Sequence, residues 1–345
     1  MLVPAVGLTP LAASGDVRLI LVALAGFAVI ILLITWLKVH PFLALTIGSI
    51  GVGLAAGLGP DKTVTSYLTG FGATMGSVGV LIGLGAMFGK LLADSGGADQ
   101  IVDTMVSRSR PSLLPWTMAL VGAVIGLPMF FEIGLVLLIP VILLVARRSG
   151  LPLMRIAIPT LAGLSVMHGL VPPHPGPLIA ISALGANLGL TLAFGIIVAI
   201  PTLLVAGPLF SRFAARWAPV PVPNLYVTAE DAGEDVSARP RPSFPVALAS
   251  ILLPVVLMLA KALADVVAPG SKSGLKSVLD FLGNPPIALL LAVIVGILLL
   301  GRGGRMSRRT IADSLDSSLP PIAGILLIVG AGGGFKQVLI DTGIG

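Results

Sequence analysis

A carboxylate inside an apolar run is the side chain in this sequence best placed to do chemistry. Of three glutamates, Glu230 and Glu234 lie in a polar stretch, whereas Glu132 interrupts the otherwise charge-free run 111–146. The residues around it read G-L-P-M-F-F-E-I-G, positions 126–134. Gly126 and Pro128 predict a helix break, because proline lacks a backbone donor and clashes with the preceding turn. Irregular backbone at membrane depth is tolerated only where it is buried in protein or lines a water-filled cavity. A carboxylate beside such a break is costly to bury charged and is suited to accepting a proton. Glu132 is therefore the candidate proton-coupling residue, with Pro128 beside it as a candidate binding position. The plainer alternative is a glutamate at a surface turn of a helical hairpin.

A second cluster reads H-G-L-V-P-P-H-P-G-P-L, residues 168–178. Four prolines and two glycines rule out a continuous helix, although the flanks are apolar for tens of residues. Histidine ordinarily titrates near neutrality and can donate or accept, so His168 and His174 are both candidates for proton coupling and substrate contact. Two histidines six residues apart with no carboxylate nearby make a poor metal site. The competing reading is a structural loop with its polar groups satisfied, and Asn187 downstream can serve the same backbone or the substrate.

The third candidate is a stretch of small residues, Gly72-Ala73-Thr74-Met75-Gly76-Ser77-Val78-Gly79, long enough for a re-entrant hairpin. Residues 317–324, ending at Gly324, occupy the matching place later in the chain. Amides at a half-helix N-terminus suit an anion, which makes Thr74, Ser77, Gly79 and Gly324 candidate substrate contacts. Close helix packing through small residues is the alternative.

Soluble chemistries fit poorly. Gly89-Lys90 looks like the end of a phosphate-binding loop, but Leu84 and Leu91 occupy the positions where that motif needs glycine and serine or threonine. No zinc motif, nucleotide motif or Ser-His-Asp arrangement is present, and no cofactor is expected. Cysteine is absent, which excludes disulfides and thiolate metal sites.

These candidates must be positioned by membrane helices. The chain is 56% hydrophobic and 10% charged, against roughly 25% charged in a soluble domain. Charge-free stretches at 19–37, 63–89, 156–211, 242–260, 281–301 and 317–335 suit helices of about 20 apolar residues, and roughly nine to eleven membrane segments are expected. The basic excess clusters at span ends: Arg147, Arg148 and Arg155; Arg212, Arg216, Arg239 and Arg241; Arg302, Arg305, Arg308 and Arg309. That is a positive-inside pattern and sets topology, with no nucleic acid partner implied.

A phrase also occurs twice. Residues 83–97 read G-L-G-A-M-F-G-K-L-L-A-D-S-G-G, and residues 330–343 read G-A-G-G-G-F-K-Q-V-L-I-D-T-G, about 246 residues later. Lys90 and Lys336 are read as snorkelling or pairing with Asp94 and Asp341. Placing the arginine clusters in the cytoplasm, with Lys38 and His40 there too, makes the two halves enter the membrane from opposite sides. The expectation is an all-α polytopic membrane protein built of inverted structural repeats, with re-entrant hairpins and interrupted helices. Residues 1–217 form the first repeat, 218–243 a cytoplasmic connector, and 244–345 a second repeat that stops short of the first, so a truncated or fragmentary sequence is expected. Folds of this kind are secondary transporters, which bind substrate at the midplane where the repeats meet and work by alternating access.

The stretch G-F-G-A-T-M-G-S-V-G-V-L-I-G-L-G-A-M-F-G-K-L-L-A-D-S-G-G-A-D at 70–99 resembles the signature of the gluconate permease family of bacterial proton symporters. So do G-L-P-M-F-F-E-I-G-L-V at 126–136, H-G-L-V-P-P-H-P-G-P at 168–177 and G-A-G-G-G-F-K-Q-V-L-I-D-T-G-I-G at 330–345. The resemblance implies a multi-pass carrier of the bacterial cytoplasmic (inner) membrane, in contact with membrane lipid, that couples uptake of gluconate or a related sugar acid to protons. It also implies the inverted-repeat ion-transporter architecture, a length of about 450 residues, and often a homodimer. A carrier for another small carboxylate (glycerate, a ketogluconate or a dicarboxylate) would share this scaffold. A passive channel or a membrane-embedded enzyme fits less well, since no nucleophile–base set is present.

Overall fold

The computed structural model describes residues 14–222, 240–268 and 273–344. Among them the chain is helical, with no strand. In order the helices are α1 (Ser14–Thr35), α2 (Pro41–Ala56), α3 (Pro60–Thr74), a π-helical turn (Met75–Gly79), α4 (Val80–Asp94), α5 (Gly97–Ser107), α6 (Leu114–Gly126), α7 (Phe131–Ser149), α8 (Leu153–Leu170) and α9 (Pro175–Leu184). There follow α10 (Leu188–Leu204), a second π turn (Val205–Leu209), α11 (Phe210–Trp217), α12 (Phe244–Val267), α13 (Gly274–Leu282), α14 (Pro285–Gly303), α15 (Arg308–Ser317) and α16 (Pro320–Asp341). Seven helical stretches of the described residues are long and apolar enough to cross a membrane, and two shorter apolar ones, 41–56 and 111–126, accompany them. Phe194, Ile197 and Ile200 on α10 and Ile20, Leu24 and Ile31 on α1 point outward, the reverse of a soluble helix. The chain is an all-α, multi-pass membrane protein.

Two compact units form. The first holds α1–α3, the first π turn and α16 from Ala323 onward. Its core gathers Ile30, Ala44, Val52, Tyr67, Ala331, Phe335 and Val338, with Phe27 edge-on to Phe335 at 5.0 Å. A Cβ on Gly330 would stand 2.6 Å from Phe71, and one on Gly334 would stand 2.5 Å from Tyr67, so glycine lets α16 lie against α3.

The second unit runs from Val80 to Ile322. Its core includes Phe88, Leu92, Ile101, Met118, Ile125, Met129, Leu138, Ile156 and Leu164. Helices α6 and α8 cross backbone to backbone: a Cβ on Gly122 would collide with the Thr160 carbonyl, and one on Gly163 would lie 2.5 Å from that of Ala119.

The repeated phrase has the same local shape in both places. Each copy is the end of a helix that stops at an aspartate, Asp94 or Asp341, with the following glycine left-handed: Gly96 at φ 74° and Gly343 at φ 79°. That conformation suits glycine, which has no Cβ to clash. Lys90 pairs with Asp94 at 2.5 Å, while Asp341 accepts from Gln337 at 2.8 Å.

The glycine-rich stretch 72–79 does not reverse as a hairpin. It passes through the π turn inside one helical stretch from Pro60 to Asp94. Ser77 returns its hydroxyl to the carbonyl of Ala73 at 2.9 Å, so no helix N-terminus opens here. In the matching place of the second copy, Ser318-Leu319 interrupts the helix before Pro320.

Candidate functional site

The second unit contains two places where a helix stops within an apolar stretch. Helix α6 ends at Gly126, residues 127–130 cross as a turn, and α7 opens at Phe131. Phe130 is extended, at φ −61° and ψ 146°. Helix α8 ends because Pro172 and Pro173 follow. A proline pushes its predecessor out of the helical region, and Val171 accordingly sits at φ −115° and ψ 119°. The same rule acts on His174, at φ −70° and ψ 152°, which precedes Pro175. Helix α9 then opens on Pro175, whose fixed φ suits the first helical position and whose missing N–H would have no partner there anyway.

The two breaks touch. His174 is 3% exposed and brings Nε2 to 2.7 Å from the carbonyl oxygen of Gly126. A carbonyl only accepts, so Nε2 carries a proton and donates to it. Carbonyls in the last turn of a helix lack intrahelical donors, and the contact satisfies one that the break leaves buried. The rings of His168 and His174 lie 4.8 Å apart, tilted by 42°. Phe130 stands edge-on to both, at 6.2 Å from His168 and 6.1 Å from His174.

Phe130 and His174 are the residues immediately before α7 and α9, so this contact brings two helix N-termini together. Neither terminus is capped by its own side chain. Helix α7 presents the first-turn amides of Phe131, Glu132 and Ile133, while α9 presents only that of Gly176, since Pro175 and Pro177 have none. Helix α4 lies alongside with glycine facing the breaks. A Cβ on Gly89 would stand 3.0 Å from the Pro128 carbonyl oxygen, and one on Gly85 would stand 3.9 Å from Cγ of Pro173. The first copy of the repeated phrase is thus a close-packing face.

Of the residues singled out from sequence, Pro128, His168 and His174 come together here. Glu132 is the second residue of α7, in the same break; its side chain lies outside the described residues. Asn187 serves a different backbone from the one expected. Its Oδ1 accepts from the amide of Leu190 at 3.0 Å and caps α10, beside a small cavity of about 70 Å³ bordered by Lys261 and Asp265. Thr74, Ser77, Gly79 and Gly324 belong to the first unit. There Thr74 packs against Gly333, Ser77 is exposed, and the Cα of Gly324 faces open space. Sequence reasoning missed Phe130, Gly85 and Gly89. Their signals were the position of Phe130 two residues after Pro128 and the one-turn spacing of the two glycines. Among the described residues no three metal-ligating side chains cluster.

Residues 17–345 match the family described as GntP family permease. The chain belongs to that family. Gluconate permease of Pseudomonas aeruginosa is 47% identical over 333 residues, covering 96% of this chain and 73% of the relative. The Gnt-II system L-idonate transporter of Escherichia coli is 38% identical, covering 95% and 73%. D-serine transporter DsdX of Escherichia coli is 37% identical, covering 93% and 71%. A GntP permease is a carrier and not an enzyme, and in this chain the joined helix breaks bring two uncapped helix N-termini together inside an apolar stretch.

Proposed function

We propose that this chain imports gluconate or a related sugar acid across the bacterial inner membrane in symport with protons, by alternating access of its two inverted repeats, residues 1–217 and 244–345, joined by the connector 218–243. The observation that carries this reading is the meeting of the α7 and α9 N-termini at Phe130 and His174. A helix N-terminus favours an anion by about 0.3–1 kcal/mol when exposed and by up to ~2 kcal/mol when partly buried. Two converging termini with uncapped amides suit one carboxylate without a fixed arginine, which is costly at membrane depth.

Relatives named for gluconate, L-idonate and D-serine support a substrate whose carboxylate sits beside a carbon bearing a hydroxyl or amine. The carboxylate is the shared part and takes the amides of α7 and Gly176. Glu132 in the same break carries the proton, with His168 and His174 as its neighbours and proton partners. Within the first unit, Thr74, Ser77, Gly79 and Gly324 are proposed as substrate contacts in their own right, because π turns recur at functional sites. The protein works in contact with lipid and as a homodimer.

The D-serine transporter among the relatives favours one second reading, a carrier for another small carboxylate. Competition in vesicles separates the two. Uptake of labelled gluconate falls with excess unlabelled gluconate and not with D-serine, glycerate or a dicarboxylate if the first reading holds. The reverse order selects the second.

A further inference from the structure

A group of four charges stands apart from the helix breaks. Nζ of Lys276 reaches Asp265 at 2.5 Å and Asp280 at 3.1 Å, and Nζ of Lys261 reaches Asp265 and Asp280 at 3.1 Å each. Lys276 is 8% exposed. The four side chains close a ring between the end of α12 and the short helix α13, each helix contributing a Lys and, one turn later, an Asp.

The contacts fix a register. Residue 276 meets 265, and residue 280 meets 261. Gly283 packs on Lys261 and on the carbonyl of Leu257, where a Cβ would stand 2.5 Å away. Helix α13 therefore runs antiparallel along residues 257–265 of α12, a membrane-length helix that ends at Val267. Only Gly283 and Asn284 separate α13 from α14, the next membrane-length helix, whose far end returns to Pro242 through Gly303. At 1.5 Å per residue α12 is about 36 Å long, against a hydrocarbon core of about 30 Å. A helix that outreaches the core leaves the acyl chains at its ends, and α13 lies beside the last turns of α12.

At that depth α13 has two different faces. Lys276 and Asp280 turn to α12. Leu275, Val278 and Phe281, spaced for one side of a helix, are 72%, 52% and 62% exposed. Val256 and Leu263 on the accompanying stretch of α12 are likewise exposed.

We propose that α13 is an interfacial anchor whose Leu275–Val278–Phe281 face is immersed in membrane lipid, held at its depth by the four-charge clasp to α12. The charges are satisfied by one another on the protein side, so the outer face can be apolar where a free surface helix would be polar. Because α13 descends beside α12, Phe281 lies deepest and Leu275 shallowest.

The chain has no cysteine, so single-cysteine variants Leu275→Cys, Val278→Cys, Phe281→Cys and, as the polar control, Ser277→Cys take a nitroxide label cleanly. The labelled full chain is reconstituted in phosphatidylcholine–phosphatidylglycerol vesicles, and collision with oxygen is compared with collision with a water-soluble nickel chelate. The three apolar positions should favour oxygen severalfold over Ser277, with the preference rising from 275 to 281. Nickel access at all three equal to that at Ser277 would place the face in water, and shielding from both reagents would place protein against it. Either result overturns the proposal. Asp265→Asn with Asp280→Asn should flatten the depth gradient while the chain stays folded, and an unchanged gradient would remove the clasp from the account.

Discussion

Phe130 and His174 each stand immediately before a helix, and their rings meet edge to face at 6.1 Å and 84°. Each is extended because the next stretch of chain restarts as helix: a proline follows His174, and α7 follows Phe130. The result is two helix N-termini brought together, with His174 at the same time holding the carbonyl end of α6. One histidine thus joins the C-terminus of one broken helix to the N-terminus of another.

Replacing His174 by alanine should show this double role. The Gly126 carbonyl would be left buried without its donor, a loss of about 1–3 kcal/mol. The midpoint of thermal unfolding in detergent should fall while the protein remains folded, and gluconate binding should weaken. Unchanged stability and unchanged binding would reduce the loop to a structural break.

The helix crossings make a paired test of packing. A Cβ on Gly122 runs into the Thr160 carbonyl, whereas one on Gly83 meets nothing within 4 Å. Gly122→Ala should destabilise by roughly 1–3 kcal/mol through overpacking against backbone. Gly83→Ala should be neutral or stabilise by up to about 1 kcal/mol, the helix preference of alanine over glycine. Equal effects in thermal unfolding would contradict the α6–α8 crossing.

Proline made the site legible and packing hid the rest. Pro172, Pro173 and Pro175 act on their own neighbours, so the break at 171–174 follows from the sequence alone. The stretch 72–79 is different. Glycine permits both a hairpin and a helix, and Gly330, Gly333 and Gly334 of α16, far away in sequence, accept α3 as a straight partner. Asn187 looked like a polar group for the loop before it, but a side chain at a helix start bonds more readily to its own first turn. The Lys-x-x-x-Asp spacing at 261–265 and again at 276–280 was visible in the sequence. Their closure into one ring was not, because it depends on α13 folding back along α12.

The clasp has a pH dependence of defined sign. Hydrogen bonds from Lys261 and Lys276 hold the Asp280 carboxyl below the usual carboxylate range. A lowered folded pKa contributes stability that is complete above the unfolded value of about 4, and that stability is lost as pH falls through the folded value. A nitroxide at position 278 should gain mobility on acidification below about pH 4, and Asp280→Asn should abolish the step. Mobility that rises instead between pH 5 and 8 would assign the motion to another group.

Ser77 is exposed on the first π turn, with its hydroxyl turned back to Ala73. Ser77→Trp should abolish gluconate binding while leaving thermal unfolding in detergent unchanged, and wild-type gluconate should not be displaced by neutral glucose. Normal binding in the tryptophan variant would remove the turn from the substrate site. Equal affinity for gluconate and glucose would remove the anion argument as well.

Accumulation in proteoliposomes tests the central claim most directly. With an inward proton gradient, the wild-type protein should concentrate labelled gluconate above its external level, and a protonophore should collapse the gradient. Glu132→Gln keeps the hydrogen-bonding shape and removes titration, so it should lose accumulation yet retain gluconate exchange between the two faces. Uptake by the wild type that only equilibrates, or accumulation by Glu132→Gln with an unaltered pH dependence, would contradict proton symport through the joined helix breaks.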